Sequence, residues 1–389
     1  MVESGRYLHE TDDYFRMVGY SGGSRIDRYA DAILLNIAYH FDGSRPLSSV
    51  MEASFYENID YFETTNFYES MEKDLPANKQ YMRYWHGSAA IVRLMHLFTD
   101  IRGMYIFQAV VIAVLLAVLV FLLVRNGYRY AALAVMVALT GVAIWFVPFS
   151  LEYTWMFVVM LAASAAAVML TVRNKDVYVP VLFLASGVVA CYLDFLTTET
   201  VTLTAPLLLI LYIRMQKRRA DRSDIVLAAG SAVSWLLGFS LMWVSKWMLA
   251  HMILQKDVAP YVTANIADKL DGDINGLPSL VVMAAALVRN VRVIFPLEYG
   301  TAGIMIVAAA VIAAIWRLYV YGGGRQADIR AVLIYLCVGT VPYIRYIVLH
   351  NHSYKHYFFT YRAQAATLLA LMFILDKYSA GYKKSGKRR

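Results

Sequence analysis

GMYIFQAVVIAVLLAVLVFLLV, residues 103–124, is uncharged from end to end. A helix rises about 1.5 Å per residue, so a run of this length crosses the roughly 30 Å hydrocarbon core of a bilayer. Similar apolar runs occupy 130–149, 153–172, 177–193, 197–213, 225–250, 301–320, 330–349 and 357–375. The 389-residue chain is 60% hydrophobic and only 16% charged, whereas soluble domains carry closer to a quarter charged residues. The expected fold class is all-α: a polytopic helical membrane protein of about nine spans with added amphipathic helices.

Loop charge sets the expected orientation, because cytoplasmic loops collect Lys and Arg. Arg125 and Arg129 follow the first run, Arg173 and Lys175 the third, and Arg214, Lys217, Arg218, Arg219 and Arg222 the fifth. Arg317, Arg325 and Arg330 flank the glycines at 322–324, and KKSGKRR ends the chain. Alternating spans put all of these on one side. The opposite short loops, PFSLEY (148–153) and LDFLTTET (193–200), carry acids and no Lys or Arg. The C-terminus is therefore expected in the cytoplasm and residues 1–100 outside it. The net charge of +8 is explained by these loops and points to no nucleic acid. The organisation read from this is an extracytoplasmic segment 1–102, a transmembrane domain 103–376 with an outer loop at 251–300, and a basic tail 377–389.

Two features sit awkwardly with that frame. LPSLVVMAAALVRNVRVIFP (277–296) is interrupted by Arg289 and Arg292, and a crossing there breaks the alternation; an interfacial or re-entrant helix is expected. MVESGRYLHETDDYF lacks the basic start and apolar core of a signal peptide. Export of residues 1–100 then calls for an apolar anchor encoded ahead of Met1, or an unusual route.

Chemistry-bearing residues gather on the outer side. RYWHGSAAIVRLMHLFTDIRGMYIFQ (83–108) reads as an amphipathic helix turning into the first span, with Ile91, Leu94, Met95 and Phe98 at helical spacing and Arg83 and His86 at its start. HNHSYKHYFFTYR (350–362) concentrates His350, His352, Lys355, His356 and Arg362, a mixture suited to phosphate; its tyrosines equally fit an interfacial belt. DGDING (271–276) matches the first half of a calcium loop, but Val282 stands where the bidentate acid belongs, so a polar turn is expected. Cys191 and Cys337 lie within apolar runs and are expected to be buried; no disulfide or zinc spacing exists.

SRIDRYADAILLNIAYH (24–40) holds the acids of most interest. Ser24 and Asp27 have nearly capping-box spacing, which gives Asp27 a structural role at a helix start. Asp31 lies one turn on with Arg28 at i−3, and Ile33, Leu34, Ile37 and Ala38 follow as an apolar stripe. The expected structure is an amphipathic helix whose acidic half faces an open space. Asp31 is left free to act as a base, to hold a divalent cation, or simply to be solvated.

An outer acidic segment, a juxtamembrane helix and many spans with short outer loops resemble the GT-C class of membrane glycosyltransferases. IDRYADAILLNIA is similar to their acidic stretch and RYWHGSAAIVRLMHLF to their juxtamembrane helix. The segments IDRYAD, YWHG, LEYTW, LDFLTTET and HYFFTYR also resemble those of polytopic plasma-membrane proteins of Gram-positive bacteria. The resemblance implies a polyprenyl-phosphate-linked sugar as donor, membrane lipid as partner and a cell-envelope acceptor. It implies Asp27 or Asp31 as catalytic base, with Asp12 and Asp13 of HETDDYF as rivals and a divalent cation as an optional cofactor. Arg289, Arg292, Lys355 and Arg362 are expected to hold the phosphate, with Arg28, Arg83, His86 and His352 also binding substrate and Trp85, Tyr153 and Trp155 stacking on sugar. No metal ligand set and no protein partner follow from the sequence. The competing readings are a transporter or flippase of lipid-linked or polar cargo and a non-catalytic envelope-assembly protein. The apolar midplane of the spans and the polar groups at their outer ends favour the enzyme.

Overall fold

The computed structural model describes residues 1–19, 21–264, 274, 276–321 and 328–379. The glycines at 322–324, most of DGDING and the tail from residue 380 lie outside the described residues. Among the described residues the regular structure is helical apart from one two-stranded hairpin. The N-terminal segment comprises α1 (Val2–His9), β1 (Tyr14–Arg16), β2 (Arg25–Asp27), α2 (Arg28–Tyr39), α3 (Pro46–Glu52), α4 (Glu63–Glu72) and α5 (Gly87–Met95). The bundle comprises α6 (Ile101–Arg125), α7 (Arg129–Gly141), α8 (Thr154–Val172), α9 (Val179–Leu193), α10 (Val201–Lys217) and α11 (Arg222–Leu254). After α12 (Ser279–Arg292) it continues with α13 (Thr301–Tyr321), α14 (Ile329–Gly339), α15 (Val341–Val348), α16 (His350–Lys355), α17 (Tyr357–Thr360) and α18 (Ala365–Ser379).

Among the described residues, six helical segments are long and apolar enough to cross a membrane: Ile101–Arg125, Thr154–Val172, Asp176–Leu193, Arg222–Leu254, Ile329–Val348 and Tyr357–Lys377. Helices α7 and α13 are apolar but shorter over their described residues, and α10 ends in Arg214 and Lys217. The apolar side chains of α6, such as Phe107, Val114 and Phe121, are exposed, as a hydrocarbon solvent requires. Cys337 is exposed as well, on α14, whereas Cys191 is buried; the expectation of two buried thiols holds only for Cys191. Helix α12 has 14 residues, short of the roughly 20 that a crossing needs.

Asp100 caps α6 by accepting from Gly103 N at 3.1 Å, which breaks the 83–108 stretch into α5 and α6 rather than one bent helix. Asp221 and Asp224 form a capping box at the start of α11. Asp224 also holds Arg214 at 2.8 Å and Arg218 at 2.7 Å, and Asp376 accepts from Tyr212 at 2.8 Å. These bonds tie α10, α11 and α18 together at the end of the bundle remote from residues 1–100.

The N-terminal segment sits on the other end. Gly23 N donates to Glu298 at 2.9 Å, and Lys246 of α11 donates to the carbonyls of Val50 and Met51 at 2.8 and 3.0 Å. Close backbone approach sets the α9–α11 crossing. A Cβ on Gly187 would lie 2.2 Å from the Trp235 carbonyl oxygen, and one on Gly238 would lie 2.2 Å from that of Leu184. Gly187→Ala or Gly238→Ala is expected to push the helices apart and cost about 1–3 kcal/mol, read as a lowered unfolding midpoint of the detergent-solubilised protein. An unchanged midpoint in both variants would show that the crossing does not depend on these glycines.

Candidate functional site

The hairpin pairs Tyr14 with Asp27 and Arg16 with Arg25. Its strands are short, and Ser24 closes the turn by donating to the carbonyls of Val18 and Ser21. Ser24 is thus a turn residue, and the expected Ser24–Asp27 capping box does not form. Asp27 is itself the N-cap of α2, accepting from Ala30 N at 3.0 Å. Its backbone is non-helical, at φ −90° and ψ 83°, so Asp27 and Asp31 do not share a helix face.

Asp27 lines a cavity of about 570 Å³, within the size range of small-molecule sites. Helix α2 and its cap contribute Asp27, Tyr29 and Ile33. The segment before α5 contributes Lys79, Tyr81, Arg83, Tyr84 and His86. The loop ahead of α8 contributes Glu152, and α16 and the residues after it contribute His352, His356 and Phe359. Aromatic rings flank the polar groups: His86 lies 4.8 Å from Tyr81 and 4.9 Å from Phe195, and His352 lies 4.7 Å from His356. Burial pushes the Asp27 carboxyl up to about 7, with the nearby charges of Asp31 and Asp13 adding to the rise and the Ala30 hydrogen bond and Arg25 opposing it. A carboxyl poised near neutrality in a cavity is suited to proton transfer.

Two arginines brace this site. Arg345 of α15 pairs with Glu199 at 2.6 Å, donates to the Leu196 carbonyl, and reaches Ser353 of α16 at 3.3 Å. It therefore holds both the loop that presents Phe195 and the helix that presents His352. Leu196 has φ 65°, a left-handed conformation that a leucine adopts only when held. Arg362 is fully buried between the Tyr153 and Tyr361 rings and donates to the carbonyls of Phe358 and Gly23 at 2.9 and 2.8 Å.

Four of the ten residues singled out from the sequence line this cavity: Asp27, Arg83, His86 and His352. Asp31 does not. It is fully buried, accepting from Tyr105 OH at 2.6 Å and from Leu151 N at 2.7 Å. The acidic, water-facing half expected for α2 is absent, because Asp31 is the anchor of a buried network. Arg28 is buried in the same network, donating to the hydroxyls of Tyr105 and Tyr7. Arg362 is spent on carbonyls, and Arg289, Arg292 and Lys355 are exposed and outside the lining; Arg289 stacks on Tyr354 at 3.9 Å. Of the rival acids, Asp12 is exposed. Asp13 is buried and accepts from Glu63 N and Thr64 N at the start of α4.

The cavity also takes in His356, from the cluster that the sequence marks as suited to phosphate, Glu152, one of the outer-loop acids, and Lys79, Tyr29, Tyr81 and Tyr84, which no sequence pattern marks. Glu152 carried one readable signal, as the only acid in a loop without basic residues. Among the described residues no three His, Cys, Asp or Glu side chains converge to hold a metal ion. No protein-family model, curated protein or solved structure matches the chain.

Two outcomes follow for stability. Tyr105→Phe leaves Asp31 short of a donor and Arg28 short of an acceptor, an expected loss of about 1–3 kcal/mol. Asp31→Ala strands the buried Arg28, for an expected loss of about 3–5 kcal/mol. Denaturant unfolding of both in detergent checks the order. The pH dependence has a definite sign. A carboxyl raised from 3.8 to about 7 binds its proton more tightly folded than unfolded, so its contribution is fully present below the lower value and is lost as pH rises through the higher. Asp31, raised to about 6 by burial, acts in the same direction. Stability is expected to fall across this interval, and Asp27→Asn is expected to make the fall shallower; an identical slope in wild type and variant would refute the raised Asp27.

Proposed function

We propose that the chain transfers a sugar from a polyprenyl-phosphate-linked donor to a hydroxyl of a cell-envelope acceptor, at the outer leaflet of the bacterial plasma membrane. The observation that carries this reading is Asp27: a buried carboxyl, poised near neutrality, in an aromatic-lined cavity on the end of the bundle that holds residues 1–100. In the proposed step Asp27 takes the proton of the acceptor hydroxyl. The acceptor oxygen bonds to the anomeric carbon as that carbon's bond to the phosphate oxygen breaks, and polyprenyl phosphate leaves. Arg83 supplies positive charge for the departing phosphate. The rings of Tyr29, Tyr81, Tyr84 and Phe359 offer faces for the sugar.

The buried cations of the bundle support an enzyme over a transporter. Lys246 is engaged by two carbonyls, Arg345 by Glu199 and Arg362 by two carbonyls. A conducting path needs ionisable groups that are exchanged during the cycle, and these are committed to holding helices together.

The test supplies the full chain in nanodiscs with a radiolabelled polyprenyl-phosphate hexose and a cell-envelope acceptor fraction. Transfer is expected to rise with pH as Asp27 ionises and to level off above about 7. Asn is as good an N-cap as Asp, so Asp27→Asn should keep the fold while lowering transfer roughly 10²–10⁴-fold. Undiminished transfer in a folded Asp27→Asn protein would remove the proposed base.

A further inference from the structure

A second cavity, of about 310 Å³, abuts the first. Its walls are mainly apolar, including Ile37 and Ala38 of α2, Val50 of α3, and Trp85 and Ala89 at α5. His86 is the side chain common to both linings, and it stands in the partition between a polar space and an apolar one.

The chemistry of His86 is fixed by its surroundings. Nε2 lies 2.9 Å from the Tyr81 carbonyl oxygen. A carbonyl only accepts, so Nε2 carries the proton. Burial, with the positive charges of Lys246 and Arg83 adding to it, lowers the imidazole to about 3, so the ring is neutral and Nδ1 is a bare acceptor. That acceptor is buried and has no partner among the described residues, an arrangement that costs free energy until a donor arrives. The backbone at His86 is also held left-handed, at φ 54° and ψ 36°. Strain of this kind in a non-glycine residue concentrates at ligand sites.

The apolar cavity is bordered by exposed apolar side chains. Val50 and Ala90 of its lining are exposed. Just past them on α5 and the turn into α6, Leu94, Leu97 and Phe98 are 60, 74 and 84% exposed. An apolar rim running into a membrane-length helix is a path for a chain arriving from a bilayer, not from water.

We propose that the two cavities form one site for an amphiphile. Its hydroxyl-bearing head lies in the polar cavity and donates to His86 Nδ1, and its single apolar chain fills the smaller cavity. The hydroxylated head rests on reading the polar cavity as the place where sugar is handled; the apolar chain rests on the second cavity alone.

The test is photoaffinity labelling of the full chain in nanodiscs with octyl β-D-glucoside carrying a diazirine at its chain end. Trypsin releases residues 84–93 as one peptide between Arg83 and Arg93. The expected result is saturable label in that peptide, competed by excess octyl glucoside but not by glucose or octanol at equal concentration. His86→Phe keeps an aromatic ring without the acceptor. It is expected to raise the half-saturating concentration roughly tenfold while leaving labelling by a diazirine octanol unchanged. Ala89→Leu, which narrows the apolar cavity, is expected to depress the label by an independent route in a protein of unaltered elution. Label confined to lipid-facing α6, α11 and α13, or equal competition by octanol, would overturn the proposal. The transfer assay and the labelling, run on the same wild-type preparation, separate the two readings. Saturable label in a protein that transfers no sugar removes the transferase alone; transfer without label at 84–93 removes the amphiphile site alone.

Discussion

A carboxylate removed from water must be satisfied by the protein, and Asp31 is satisfied by parts of the chain that lie far apart in sequence. Tyr105 of α6 donates to one oxygen and Leu151 N, ahead of α8, to the other. Arg28 lies 4.0 Å away and reaches it through the Tyr105 hydroxyl, which accepts from Arg28 and donates to Asp31. Tyr7 of α1 takes the far side of the guanidinium. Four elements thus depend on one acid, and none can move without leaving a buried polar group unpaired. This network locks α2 against the bundle, and the lock gives Asp27, at the first turn, a fixed place in the cavity wall.

The two interior arginines extend the same logic. A guanidinium presents several donors in a rigid fork, and each of these two reaches acceptors on separate segments. Arg345 joins Glu199 and Leu196 to Ser353; Arg362 joins Phe358 to Gly23. Asn290 of α12 plays a smaller part, accepting from Thr360 at 2.7 Å and donating to Ser353 at 3.0 Å. The cavity is therefore assembled from the first turns of α2, short helices and irregular segments that are pinned by buried polar bonds.

The long apolar helices were legible because a bilayer imposes composition and length directly on sequence. Runs such as 103–124 need no tertiary context to be read. The roles of the polar residues were much less legible, because a charged side chain looks the same in sequence whether its partner is water, a ligand or a backbone carbonyl. Arg362 and Arg28 were read as ligand groups for that reason, and Asp31 as the free acid. The misplaced cap has a local cause: an i, i+4 pair shares a face only when both residues are helical, and Asp27 is not. Lys79, Tyr81 and Tyr84 left no trace in any pattern. They reach the site through an irregular segment that is bridged to Phe55 at Lys79 and bonded to the Glu52 carbonyl by Tyr81 N.

Burial treats acids and bases in opposite ways, and both effects here lead to the same end. It raises Asp27 toward neutrality and holds His86 far below it, so each group favours its uncharged form. A wall containing a protonatable carboxyl and a neutral imidazole acceptor can exchange hydrogen bonds with a polyol without stripping water from a fixed charge, which is the costly part of polar recognition. The fixed positive charge of Arg83 is set among the Tyr81 and Tyr84 rings, 5.7 Å from each centroid. An anionic group is thereby drawn to the Arg83 side of the cavity, while Asp27 and the tyrosines offer partners to hydroxyls. An uncharged, hydroxyl-rich group joined to an anion fits that division better than either part alone.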